Sequence, residues 1–209
     1  MSAQIATEML SQEAQSAPDS VRRNIMQVRR NLETVINLVN DLLTIDRLEA
    51  GQLILNTSNI ELNPFLDGVI ESVQAIAGAK EIRLQNLTEK EMYVSADKDR
   101  ITQVLTNLIA NAVKFSPKGS AISISSAEVN QFSQICVSDE GPGLPPGSEK
   151  KIFDKFNQVK REHAKAGYGL GLTICKMLVE LHGGTISAQS LKEKGSKFCF
   201  SLPPKFDIH

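Results

Sequence analysis

The sequence predicts an α+β domain preceded by a long helix, and two periodicities point to it. Apolar residues recur in three- and four-residue steps over 21–43, 63–76, 101–113 and 171–181, the spacing of a buried helical stripe. Shorter runs near 81–87, 92–95, 121–128, 132–138, 185–190 and 197–202 read as strands. With 209 residues and 41% apolar content, the chain can build one domain of roughly 150 residues and a helical appendage. The divisions expected are a leading stretch at 1–20, a helix at 21–51, a linker at 52–59 and the folded domain at 60–209.

The first helix carries Val21, Ile25, Val28, Leu32, Val35, Val39 and Leu42 in alternating four- and three-residue steps, with Ile36 and Leu43 widening the stripe. This is a heptad seam. Burying it is worth on the order of 10–20 kcal/mol before entropy, which a lone helix cannot realise, so the seam needs partners. Asp19-Ser20 caps its start and Gly51 ends it. The next helix opens at Asn63-Pro64, where proline suits the first position.

The third helix runs from Asp97, a candidate N-cap, to the stop Ser116-Pro-Lys-Gly119. Its apolar stripe is Ile101, Val104, Leu105, Leu108, Ile109, Ala112 and Val113, and its opposite edge stacks Gln103, Asn107, Asn111 and Lys114. Two carboxamide oxygens and an ammonium in line suit a hydrated Mg²⁺ and phosphate oxygens. A solvated face accounts for this helix alone equally well. After the strand at 132–138, Asp139-Glu-Gly-Pro-Gly143 lets the backbone approach a flat ligand while the carboxylate accepts from a donor such as the adenine amine. Alone, such a segment is usually only a turn. Gly167-Tyr168-Gly169-Leu170-Gly171 opens the last helix, and free N–H groups at a helix start suit an anion.

Together these segments carry a family signature. Asn107-x-x-x-Asn111-Ala-x-Lys114-Phe115, Asp139-x-Gly141-x-Gly143, Phe153-Asp-Lys-Phe156 and Gly167-x-Gly169-x-Gly171 resemble, in order, the N box, first glycine box, F box and second glycine box of sensor histidine kinases. Gly195-Ser196-Lys-Phe-Cys-Phe-Ser-Leu-Pro203 resembles the family's closing strand, with Ser196 where threonine is usual. The resemblance covers roughly residues 21 to 203. It implies the two-layer ATP-binding fold shared with gyrase and the heat-shock chaperones: a mixed sheet with helices on one face. Hydrolytic relatives have a glutamate where Asn107 stands. A carboxamide is no general base at neutral pH, so transfer to a nucleophile other than water is the expected reaction.

The resemblance also implies roles. Asn107 and Asn111 would hold Mg²⁺ and phosphates, Lys114 would contact phosphate, and these three would form the catalytic set. Phe115 would pack near adenine, Asp139 would read its amine, and Gly141 and Gly143 would give the base room. Residues 144–166 would form a lid, anchored by Phe153 and Phe156 and hinged at Gly167, Gly169 and Gly171, with Tyr168, Leu170 and Ser196 also at the nucleotide. The lid holds Lys150, Lys151, Lys155, Lys160, Arg161 and Lys165, which suits closure over a polyanion. The expected cofactors are ATP and Mg²⁺. The expected enzyme is a protein histidine kinase that passes the γ-phosphoryl group to a histidine and then to a response-regulator receiver domain. The alternative is a non-catalytic nucleotide-binding signalling module.

Residues 40–51 resemble the end of the second helix of the family's dimerisation hairpin, leaving Ser2–Leu10 as the tail of the first. A homodimer through the complete hairpin is therefore expected. The acceptor histidine that the family carries early in that first helix has no counterpart here. The histidines are His163 in the lid, expected to be exposed; His182 at a helix end, expected to interact with the dipole; and His209, expected to be disordered. The chain is thus expected to begin just after the acceptor and not to phosphorylate itself, although a natural chain lacking its acceptor is the other possibility.

A net charge of −1 gives no support for nucleic-acid or membrane-surface binding. No run of 18 apolar residues and no signal peptide occurs, so the chain is expected to be cytoplasmic, with any membrane anchor in other segments. Cys136, Cys175 and Cys199 lack metal-ligand spacing and read as reduced core residues.

Overall fold

The computed structural model describes residues 18–157, 168–191 and 194–204. The chain forms two units, residues 1–46 and 47–209. Helix α1 (Asp19–Glu49) supplies the described part of the first. Its seam side chains Val21, Val28, Leu32, Val35, Val39 and Leu42 are 42–54% exposed, so the stripe is not buried within the single chain. The helix ends as the sequence predicts. Gly51 takes φ +65, its N–H donates to the Leu48 carbonyl, and the Gln52 N–H donates to that of Arg47, the paired bonds of a Schellman stop.

In the second unit the order is β1 (Thr57–Glu61), α2 (Leu62–Gly78), β2 (Arg83–Asn86), β3 (Tyr93–Asp97), α3 (Lys98–Phe115), β4 (Ala121–Val129), β5 (Phe132–Asp139), a 3₁₀ turn at Lys151–Phe153, α4 (Gly171–Leu181), β6 (Ile186–Ser190) and β7 (Ser196–Leu202). The five-stranded sheet runs β2-β4-β5-β7-β6, parallel between β2 and β4 and antiparallel elsewhere, which makes it mixed. A two-residue turn at Asn130-Gln131 joins β4 to β5. Both residues have positive φ, as the twist of a tight hairpin requires.

One element departs from the sequence reading. Residues 57–61, which straddle the expected end of the linker at 59 and are not expected as a strand, form β1 and pair antiparallel with β3 in a separate two-stranded sheet. Only Ile60 of β1 is buried, so the segment lacks the alternation that marks a strand.

Alternation on the main sheet separates its faces. Ile122, Ile124, Ile135, Val137, Phe198 and Phe200 are at most 8% exposed and form the core with the stripes of α2, α3 and α4. Helix α3 lies between α2 and α4. The other face presents Ser123, Ser125, Gln134, Ser138, Lys197 and Ser201, all half-buried.

On that second face the structure corrects the reading of the cysteines. Cys136 on β5 stands directly opposite Cys199 on β7, with their Cα atoms 4.1 Å apart, and the two are joined as a disulfide. Their apolar flanks in sequence suggested core thiols, but strand alternation turns those flanks inward and the cysteines outward. Cys175 alone is a core thiol, fully buried in α4 with its sulfur 3.7 Å from the Val104 carbonyl oxygen.

Candidate functional site

Helix α3 is fixed at both ends by partners distant in sequence. At its start, Asp97 Oδ1 accepts from the N–H groups of Asp99 and Arg100 at 3.1 and 3.2 Å, while Oδ2 accepts from the Asn56 N–H at 2.9 Å. Burial pushes the Asp97 carboxyl up, but these bonds and the nearby Arg100 charge outweigh it and hold the group below its usual range. The Asp97 N–H donates to His182 Nε2 at 3.0 Å, and His182 Nδ1 lies 2.7 Å from the Leu178 carbonyl oxygen. An acceptor Nε2 and a donor Nδ1 together assign a neutral imidazole. His182 stands at the end of α4 with Nδ1 on a terminal carbonyl, in line with the structural role expected at the helix end, and it also bridges α4 to the start of α3.

At the far end of α3, Lys80 Nζ donates to the carbonyls of Val113, Lys114 and Ser116 at 2.7, 2.9 and 3.4 Å. These oxygens lie where a helix runs out of internal donors. The sequence shows no sign of this lysine cap, because its spacing from α3 is set only by the fold.

Between these anchors, α3 presents Asn107, Asn111 and Lys114, all half-buried. Neither carboxamide hydrogen-bonds to another described residue. Lys114 Nζ sits 5.0 Å from the Phe115 ring centroid, and burial lowers the pKa of its ammonium. Phe115 is 39% exposed.

The end of β5 closes one side. Asp139 is buried, and its Oδ1 accepts from the Gly141 N–H at 2.7 Å. A Cβ on Gly141 would stand 2.6 Å from that oxygen and 3.3 Å from the Phe115 carbonyl oxygen, so the loop passes close beneath the end of α3. Gly143 takes φ +77 and packs on Ser190, whose hydroxyl accepts from the Leu144 N–H at 2.7 Å. Gly195, at φ +106, lies so close to the Asp139 carbonyl that any Cβ would be 1.8 Å from its oxygen. Ser196 pairs with Asp139 across the ladder and is buried.

The start of α4 closes the other side. Asn107 Cγ lies 3.7 Å from where a Cβ on Gly171 would stand, and no side chain caps the α4 N-terminus. The start of α4 therefore lies against the Asn107 side chain of α3. A Cβ on Gly169, which has φ +71, would meet the Asn157 carbonyl oxygen at 2.9 Å, so the chain on either side of residues 158–167 comes into backbone contact.

Of the two expected lid anchors, Phe153 is buried at 5% exposure, whereas Phe156 is 63% exposed and does not pack into the core; Leu170 is buried at 1% and Tyr168 is 48% exposed. Gly167, the lid residues Lys160, Arg161, His163 and Lys165, the Ser2–Leu10 segment and His209 lie outside the described residues.

Comparison with known proteins bears on this arrangement. Residues 96–205 match the family described as "Histidine kinase-, DNA gyrase B-, and HSP90-like ATPase". The chain belongs to that family. It is 36% identical over 202 residues to sensor histidine kinase WalK of Bacillus subtilis (strain 168), an alignment covering 95% of this chain and 33% of WalK. The full-length ShkA structure in complex with AMPPNP superposes with a TM-score of 0.78 at 22% identity, covering all of this chain and 46% of ShkA. The complex of histidine kinase ThkA with response regulator protein TrrA gives a TM-score of 0.69 at 24% identity, covering 94% of this chain and 55% of ThkA. These two show the fold. The chain thus carries the catalytic domain of a sensor histidine kinase and spans about a third of the WalK relative. The alternative of a non-catalytic module is not favoured. Among the described residues no helix is long and apolar enough to cross a membrane.

Proposed function

We propose that residues 47–209 bind ATP with Mg²⁺ and donate its γ-phosphoryl group to a histidine on a helical hairpin, for relay to a receiver-domain aspartate. The observation that carries this reading is the approach of two unlike polar elements: Asn107, on the Asn107–Asn111–Lys114 edge of α3, and the start of α4 at Gly171, which no side chain caps. One offers carboxamide oxygens and a cation, the other oriented N–H groups and a positive dipole end.

The donor set fits Mg²⁺ and a triphosphate. Asn107 and Asn111 would hold the ion, which supplies charge neutralisation on the phosphates when bound. Lys114 would contact phosphate, aided by the N–H groups of Gly169 and Gly171. Asp139, held by the Gly141 N–H, would accept from the adenine amine, and the exposed Phe115 ring would cover the base. Phe153 would anchor the lid through the core, and the exposed Phe156 and Tyr168 would flank the opening. Leu170 and Ser196 would contribute backbone groups. Nothing in this edge removes a proton from water, because Asn107 stands where a general base would be needed. The chain's contribution is positioning and charge stabilisation.

The exposed seam of α1 supports a homodimer through the hairpin, and the ThkA complex supports a receiver-domain partner. A cytoplasmic location fits both. The test is incubation with γ-labelled ATP of this chain and of a longer chain containing the family's acceptor helix. Acid-labile label on the longer chain alone is expected. Rapid phosphate release with no labelled protein would replace transfer by hydrolysis.

A further inference from the structure

The disulfide-bonded pair lies on the sheet face away from the helices and outside the nucleotide site. Four strands contribute one residue each to a row across it: Ser125 of β4, Cys136 of β5, Cys199 of β7 and Ser187 of β6. A disulfide walled by small hydroxyl side chains is open to a thiol in solution in a way that a core disulfide is not. The two cysteines differ in access, since Cys136 is buried at 4% exposure and Cys199 is half-buried. Lys197, two residues before Cys199 on the same face, adds a cation that favours thiolate chemistry. Cys175 does not compete, being fully buried in α4.

We propose that Cys136 and Cys199 form a reversible thiol–disulfide exchange site, entered by a low-molecular-weight thiol at the Cys199 sulfur. A thiolate attacks Cys199 Sγ, the Cys136–Cys199 bond breaks, and Cys136 leaves as a thiolate that takes a proton from water. A second thiolate then attacks the external sulfur of the mixed disulfide, the external disulfide forms, and Cys199 leaves as a thiolate that takes a proton from water. The net reaction consumes two thiols and yields one external disulfide and two cysteine thiols, and oxidation by that disulfide runs it backwards.

The site bears on the nucleotide end of the sheet through the ladder. Cys136 and Cys199 are three register steps from the Asp139–Ser196 pair on the same two strands. Oxidation staples β5 to β7 across a sequence separation of 63 residues, and reduction leaves that ladder to its hydrogen bonds. The crosslink thereby sets how readily the strand ends beside Asp139 separate.

The test uses the full chain equilibrated with reduced and oxidised glutathione at several ratios. Non-reducing peptide mapping is expected to show a Cys136–Cys199 peptide that rises with the oxidised fraction. The oxidised protein should melt roughly 5–15 °C above the reduced one. Hydrogen exchange over 137–141 should slow on oxidation. Cys199→Ser should melt near the reduced wild type in every buffer, and Cys136→Ser should gain one glutathione, at Cys199. The proposal is overturned by absence of the linked peptide at every ratio, by a linkage through Cys175, or by equal melting temperatures of the two wild-type states. Unchanged exchange over 137–141 would overturn the coupling to the strand ends. The wild-type comparison decides the matter even if a serine variant fails to fold.

Discussion

Replacing Lys80 with methionine isolates the contribution of the cap at the end of α3. The ammonium makes two short bonds, 2.7 Å to the Val113 oxygen and 2.9 Å to that of Lys114, and a longer one of 3.4 Å to Ser116. Methionine keeps the bulk of the side chain but removes the donors and the charge that faces the negative end of the helix. A charge-assisted bond nets roughly 1.5–3 kcal/mol and the dipole interaction about 0.3–1 kcal/mol. With one ammonium shared among three half-buried carbonyls, we expect a total loss of about 2–3 kcal/mol. In a domain of this size that lowers the melting temperature by roughly 4–12 °C. Because Lys114 and Phe115 ride on the freed turn, affinity for a non-hydrolysable ATP analogue should also fall, about 3- to 10-fold by titration calorimetry. Lys80→Arg keeps the charge and should recover most of both losses. A Lys80→Met protein that melts within about 2 °C of wild type would show that water replaces the lysine at no cost.

Four further outcomes follow from the same geometry. Asp139→Ala removes a charge-assisted bond worth roughly 1.5–3 kcal/mol and should weaken ATP binding about 10- to 150-fold in an equilibrium titration; unchanged affinity would place adenine elsewhere. Gly195→Ala drives a methyl group to 1.8 Å from the Asp139 oxygen and should cost more than about 4 kcal/mol, whereas Gly119→Ala, at φ +80 with open space around it, should cost only about 1–2 kcal/mol; denaturant melts measure both. The depressed Asp97 carboxyl contributes stability that is present above its unfolded value near 3.9 and lost as pH falls through its lower folded value. Acid melts of Asp97→Asn should lose that part of the pH dependence. Burial lowers the pKa of Lys114, and a bound phosphate raises it again, so nucleotide binding should take up protons at alkaline pH, measured by calorimetry in buffers of different ionisation heat.

Much of the site was legible because its chemistry is local in sequence. The Asn107–Lys114 edge follows from helical spacing, and Asp139 and the glycines follow from a strand end and a helix start. Asp97 was legible as an N-cap for the same reason. The anchors were not. Lys80 reaches α3 across more than thirty residues of chain, and His182 reaches Asp97 across eighty-five, so neither leaves a local pattern. Gly195 was visible only as part of a motif, since its close approach to Asp139 depends on strand order. The cysteines were misread for a related reason: burial was inferred from apolar neighbours, although in a strand those neighbours point the opposite way. β1 escaped notice because one buried isoleucine makes no period.

The division of labour along α3 explains why the carboxamides can serve a ligand. Helix ends carry the groups that most need external partners, and here those needs are met by Asp97 at one end and Lys80 at the other. The helix is therefore located without using its middle polar edge. Asn107 and Asn111 are thereby held half-buried with hydrogen-bonding capacity unspent on the other described residues, an arrangement that costs stability unless a partner or water fills it. His182 strengthens the argument. Its neutral tautomer accepts the Asp97 N–H, so protonating the ring would set two donors against each other at the junction that positions the edge. His182→Gln at neutral pH keeps an acceptor, but with altered reach. It should lower stability and nucleotide affinity together, because both depend on where α3 begins. A variant that lost stability with unchanged affinity would separate the anchor from the site and refute that dependence.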